Sequence, residues 1–207
     1  MGYKILTPAT YLKACDHFGH VLRGQADALV ADHYQAIGLY PAACDENDLL
    51  ACTAAGLGVW WILEGLATST IGTVSLGATL ARSGVDKVRS WGVPAGDTYF
   101  ADLEGEGRPV QSWIDLAIGA GKVIETERSV AGAYIAEGTG LSAAQLYALP
   151  QTRYWKGAAR VPEPECGWCM VQGFPIDQMH AGAGMAIDFD ALWQDYHGRA
   201  VTLVVAG

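Results

Sequence analysis

Charge is what this sequence has least of. Only 17% of its 207 residues are Asp, Glu, Lys or Arg, below the quarter usual in globular chains. Positive charge is the scarcer kind, with 13 Lys and Arg against 22 Asp and Glu. The resulting net charge of −9 argues against nucleic acid or an anionic membrane as partner. No window is apolar enough to span a membrane, and the N-terminus lacks a charged region followed by an apolar core and a small-residue cleavage site. A protein of this kind that works outside a cell is expected to be phage-borne in a virion, or cytoplasmic before release. Repeats, low-complexity stretches and long linkers are missing too, so residues 1–207 read as a single domain. With 51% hydrophobic residues, that domain has a sizeable core.

Metal-ligand patterns are also lacking. The five cysteines (Cys15, Cys44, Cys52, Cys166 and Cys169) are an odd count and do not read as a disulfide framework. Cys166-Gly-Trp-Cys169 has CxxC spacing, but a redox pair needs a following helix, and Met170 to Phe174 reads as a strand. A zinc site needs a second pair, which Cys44 and Cys52 do not supply. His17 and His20, three apart, read as sharing a helix face. No metal and no cofactor is expected.

What is present is alternation. Apolar β-like runs occur at 2–6, 36–40, 58–63, 98–102, 130–135, 153–157, 168–172 and 200–204. Helical patterns fall between them. Thr7-Pro8 opens one around Ala9 to Phe18, and Asp45 to Asp48 precedes one ending at Gly56. Others cover Ser75 to Trp91, Val110 to Gly121 and Ala143 to Leu149. Strands alternating with helices give βα units and a mostly parallel sheet. About eight strands suit a small (β/α) TIM-like barrel, an α/β fold that usually takes about 250 residues. An open doubly wound sheet is the alternative.

In such a barrel, chemistry sits at the C-terminal ends of strands and the loops after them. The run TYFADLEGEG, from Thr98 to Gly107, ends in two carboxylates there, and alternation puts Asp102 and Glu104 on one face. Two like charges at a buried strand end are costly unless something uses or solvates them. Glu64, Glu137 and Gln172 hold similar strand-exit positions, accompanied by Trp60, Trp61, Tyr99, Tyr134 and Trp155. Carboxylates with flat aromatic faces suit a sugar. Glycoside hydrolysis needs one protonated carboxyl and one ionised, and mutual repulsion with burial divides a pair that way. A bare D-x-E is also a common solvated strand exit, and two carboxylates suit Mg²⁺ or Ca²⁺ as well.

Gly92-Val-Pro-Ala-Gly96 followed by Thr98-Tyr-Phe-Ala-Asp-Leu-Glu104 resembles the central strand of family 25 glycoside hydrolases, the lysozyme-type muramidases. It resembles still more a related glycoside-hydrolase-like domain of unknown function from bacteria and phages. Leu49 to Gly65, Val130 to Tyr134 and Tyr154 to Ala158 look like the family's other strands. Val171-Gln-Gly-Phe174 and Gly184-Met-Ala-Ile-Asp-Phe-Asp190 resemble its closing pattern. The resemblance implies a barrel acting on peptidoglycan or a related glycan. It implies Glu104 as general acid, Asp102 as the partner that stabilises the intermediate or positions the substrate amide, and Asp188 as a further carboxylate at the mouth. Glu64, Trp61, Tyr134, Trp155 and Gln172 are the expected substrate-binding residues.

One departure stands out. Those families carry an Asp in the first strand, whereas here Gly2-Tyr3 is followed by Lys4. A lysine beside Asp102 or Glu104 would lower their pKa and remove the acid's proton. If the first strand lies later, Asp27 or Asp32 fills the gap. Two functions are therefore expected in competition. One is a muramidase-like hydrolase; the other is an inactive barrel that binds glycan or serves as a virion structural protein beside other virion proteins. A metal-dependent hydrolase using Asp102, Glu104 and Asp188 is a third.

Overall fold

The computed structural model describes residues 2–64, 71–157, 160–173 and 176–207. Gly65, Ala158 and Phe174, at the ends of three of the matched stretches, lie outside them. The strands are β1 (Tyr3–Leu6), β2 (Leu12–His17), β3 (Ala36–Leu39), β4 (Gly58–Leu63), β5 (Thr98–Leu103), β6 (Val130–Ile135), β7 (Arg153–Lys156), β8 (Met170–Gln172), β9 (Gln178–His180), β10 (Met185–Leu192) and β11 (Leu203–Ala206). The helices are α1 (Arg23–Ala31), α2 (Glu46–Ala55), α3 (Val74–Ser90), α4 (Val110–Thr126) and α5 (Ala143–Tyr147).

Eight strands close a barrel in the order β2-β3-β4-β5-β6-β7-β8-β10, and β10 returns to β2. Neighbours are parallel except at β10, which runs antiparallel to both β2 and β8. The expected small α/β barrel is therefore the fold, but two of its strands are not those expected. The runs at 2–6 and 200–204 contribute β1 and β11, which pair antiparallel with each other. β11 meets β4 only at Val59, the base end of that strand. Their barrel places are taken by β2 and β10.

β2 corrects the helix expected over Ala9 to Phe18. Its Ala and Cys residues suit a helix and Thr7-Pro8 reads as a helix start, but pairing to β3 on one side and β10 on the other holds the chain extended. Alternation then turns Leu12, Ala14 and Asp16 inward. α1, which the sequence pattern did not mark, follows it. α2 is as expected: the Asp45 carboxylate accepts from the amides of Asn47 and Asp48, and Gly56 ends the helix at φ 103° in the left-handed conformation glycine tolerates.

Alternation sorts the buried residues into two cores. Val59, Trp61, Leu63, Tyr99, Ala101 and Leu103 pack outward among the helices. Trp60, Ile62, Phe100, Tyr134, Trp155 and Met170 fill the interior with Val201 and Leu203. Fully burying each such large side chain contributes roughly 1.5–3 kcal/mol. Trp155 is the hub, with ring centroids 4.6 Å from Tyr134, 5.5 Å from Phe100 and 6.1 Å from Trp60. Glycines make the room: a Cβ on Gly38 would lie 2.7 Å from Trp60, and one on Gly132 would lie 2.5 Å from Phe100. The interior is thus a packed plug, and the layer beyond Trp155 is polar.

Candidate active site

That layer is a cleft of about 240 Å³ lined by Tyr40, Asp102, Glu104, Tyr134, Trp155, Gln172, Ile176, Asp177 and Asp188. Phe100 and Asp102 share the inward face of β5, and Glu104 continues it past the strand end. Asp188 arrives from β10, and cross-strand from it stands Asp16 at the upper end of β2. Asp102 and Asp16 are buried, at 6% and 5% exposure, whereas Glu104 keeps contact with solvent.

A hydrogen-bonded chain fixes Asp188. The Tyr134 hydroxyl donates to Gln172 Oε1 at 2.8 Å, and Gln172 Nε2 donates to Asp188 Oδ2 at 2.7 Å. The Asp177 amide donates to the other oxygen, Oδ1. Burial nevertheless raises the Asp188 pKa above the ordinary range. Glu104 is raised as well, first by desolvation and then by the nearby Asp188 charge. Desolvation disfavours an ion and a like charge disfavours it further. Burial, and next the Asp188 charge, raise the Asp16 pKa as well, while the Tyr40 hydroxyl opposes the rise. The Tyr40 hydroxyl donates to Asp16 Oδ1 at 3.4 Å. Burial and like charge therefore favour the protonated forms of the cleft's acids.

Of the residues singled out in the sequence, Asp102, Glu104, Asp188, Tyr134, Trp155 and Gln172 meet here. Trp61 does not, because alternation turns it outward: it is fully buried and donates its indole N–H to Asp97 Oδ2 at 2.9 Å. Glu64 is exposed and lines grooves against α3 rather than this cleft. Glu137 is exposed in the turn after β6.

Lys4 is corrected most sharply. It lies exposed on β1 opposite Val205, on the strand pair that joins the base end of β4, and so withdraws no proton from the acids. Asp27, paired with Arg23, and Asp32, which accepts from His180, are exposed on or after α1 and line no part of the cleft. The carboxylate at the first barrel strand is Asp16. Reading 9–18 as a helix hid it, yet Leu12-x-Ala14-x-Asp16 has the period-2 alternation of a strand.

His17 and His20 share no helix face. His17 Nδ1 lies 2.7 Å from the Ala186 carbonyl, and His20 Nδ1 lies 2.9 Å from Asp48 Oδ2. Among the described residues, three acid or imidazole ligand atoms come within 4.8 Å of one another only at His20, Asp45 and Asp48. There Asp45 and Asp48 are already engaged in capping α2. Cys166 and Cys169 are buried free thiols, and burial raises both pKa values. No helix among the described residues is long and apolar enough to cross a membrane.

No family model matches the chain, and no curated protein does either. Solved structures do. The Tat-secreted protein Rv2525c of Mycobacterium tuberculosis, in complex with L-tartrate, aligns with a TM-score of 0.66 at 14% identity, covering 93% of this chain and 99% of that one. The modular autolysin LytC of Streptococcus pneumoniae, in complex with a synthetic peptidoglycan ligand, aligns at 0.63 and 10% identity over 88% of this chain and 47% of that one. The spore cortex lytic enzyme SleM of Clostridium perfringens aligns at 0.58 and 9% over 88% and 67%. The chain shares the barrel fold of these proteins. Identities this low speak for the fold alone.

Proposed function

We propose that the protein is a peptidoglycan-directed glycoside hydrolase, muramidase-like in the bond it cleaves. Glu104 donates the proton to the leaving oxygen, and Asp102 supports the oxocarbenium-like state or positions the substrate amide. Asp188 holds the proton on Glu104 by its charge, and Asp16 adds a further carboxylate below. Tyr134, Trp155 and Gln172 form the sugar-facing wall.

The observation that carries this reading is the convergence of acids from β2, β5 and β10 on one barrel mouth above an aromatic plug. The pKa shift of Glu104 has the direction a general acid needs. The shared fold with LytC, solved with a peptidoglycan ligand, and with the cortex lytic SleM agrees with that substrate class. At about 240 Å³ the cleft falls below the roughly 300–1,000 Å³ of drug-sized pockets. It suits one ring of a glycan strand lying across the mouth.

The test is release of reducing ends from purified peptidoglycan. Glu104→Gln is expected to lower it by about 10²–10⁴-fold with an unchanged circular dichroism spectrum. Unchanged turnover would remove Glu104 from the acid role. Binding of peptidoglycan without any release would establish the inactive, glycan-binding barrel instead.

A further inference from the structure

Below the cleft, Asp190 presents a problem that the proposed reaction leaves unsolved. It is fully buried on β10, and among the described residues no donor meets either of its carboxylate oxygens in hydrogen-bond geometry. Asp16 Oδ2 is buried and lacks a donor as well. The register places Asp188 opposite Asp16 and Asp190 opposite Ala14. Asp16 and Asp190 are thus diagonal neighbours on the inward face, with backbones about 7–8 Å apart, a gap two carboxyl groups span. A buried carboxylate without donors is costly, and two side by side are worse. One proton between them removes both costs.

We propose that Asp190 is kept as the neutral acid and donates its proton in a hydrogen bond to Asp16, making it a positioning residue that holds Asp16 ionised and oriented beneath the cleft. The proton goes to Asp190 because the Tyr40 hydroxyl donates to Asp16, whereas among the described residues only the Trp155 indole faces Asp190, outside full hydrogen-bond geometry. The other groups acting on the pair are Asp188 and Asp177, with the Trp155 indole acting on Asp190 from β7. Asp102, Glu104 and Tyr134 line the cleft above. None of these is a cation. Burial and the Asp16 charge both favour the neutral form of Asp190, in agreement with the geometry.

The part played in catalysis rests on the proposed function, whereas the proton does not, so the two are tested separately. The full-length chain with ¹³C-labelled aspartate carboxyls is titrated by NMR. One protonated aspartate carboxyl is expected at neutral pH, and it should vanish in Asp190→Asn, whose amide supplies the donor without a titrating group. All aspartates ionised at neutral pH, or a protonated signal that persists in Asp190→Asn, would overturn the assignment whatever the activity. On peptidoglycan, Asp190→Asn should keep the rate within a few-fold. Asp190→Leu, lacking a donor, should move the acid limb of the pH–rate profile upward, each unit lowering the ionised fraction of Asp16 on that limb about tenfold. Equal displacement of the limb by both variants would refute the positioning role. A wild-type protein that hydrolyses nothing would sink the functional reading and leave the proton count to decide this one.

Discussion

Two aspartates with no solvent exposure mark opposite ends of the barrel, Asp97 just before β5 and Asp190 within β10. Asp97 is saturated with donors. Arg89 grips both oxygens at 2.7 and 3.1 Å, Trp61 adds its indole N–H at 2.9 Å, and Ser129 adds its hydroxyl at 2.7 Å. Asp190 has a second carboxyl for a neighbour and, among the described residues, no donor in hydrogen-bond geometry. The same side chain, equally buried, serves as an anchor where the fold brings a guanidinium. Where the fold brings acids, it stores a proton. Burial alone does not distinguish the two ends; the donor inventory does.

The largest expected effect breaks the anchor. Asp97→Leu removes the partner of a half-buried Arg89 and should destabilise the fold by about 3–5 kcal/mol, read from urea unfolding midpoints. A loss below about 1 kcal/mol would show that the base does not depend on this ion pair.

At the mouth the effect should instead follow pH. Acids whose folded pKa exceeds the unfolded value bind protons in the folded state that the unfolded state releases. Their contribution is therefore fully present below the ordinary aspartate pKa, about 3.9, and is lost as pH rises through the folded value, which for Asp190 lies well above the ordinary range. Wild-type stability should fall across that window by about 1.4 kcal/mol per pH unit for each proton so held. Asp190→Asn should flatten the slope by one proton, so unfolding curves of equal slope for the two proteins would contradict the contrast with Asp97.

Tyr134→Phe cuts the chain that runs through Gln172 to Asp188. It should cost about 1 kcal/mol of stability and lower the peptidoglycan rate more than the melting temperature suggests. A rate that simply tracks stability would make the chain structural. The smallest effect belongs to Lys4→Asp, on an exposed strand at the base. Stability should stay within about 0.5 kcal/mol and the pH–rate profile should not move. A displaced profile would bring Lys4 back to the site.

The sequence by itself determined the elements whose signals are local. Gly58–Leu63, Thr98–Leu103 and Val130–Ile135 are apolar runs too short for helices, and each forms a strand near its expected bounds. α2 is marked by Asp45 and Gly56 at its two ends. Alternation likewise put Asp102 and Glu104 on one face before any fold was known. Tertiary structure decided the rest, because pairing partners lie far away in the chain. β2 is extended only because β3 and β10 flank it, 169 residues separating His17 from the Ala186 carbonyl it meets. That pairing made Asp16 a cleft residue and sent Lys4 to the base. Whether Trp60 or Trp61 faced inward depended on the barrel's closure, since an apolar run with bulky residues on both faces has no period to read. The meeting of Asp16 with Asp190 follows from an antiparallel register, which two residues 174 positions apart cannot announce in sequence.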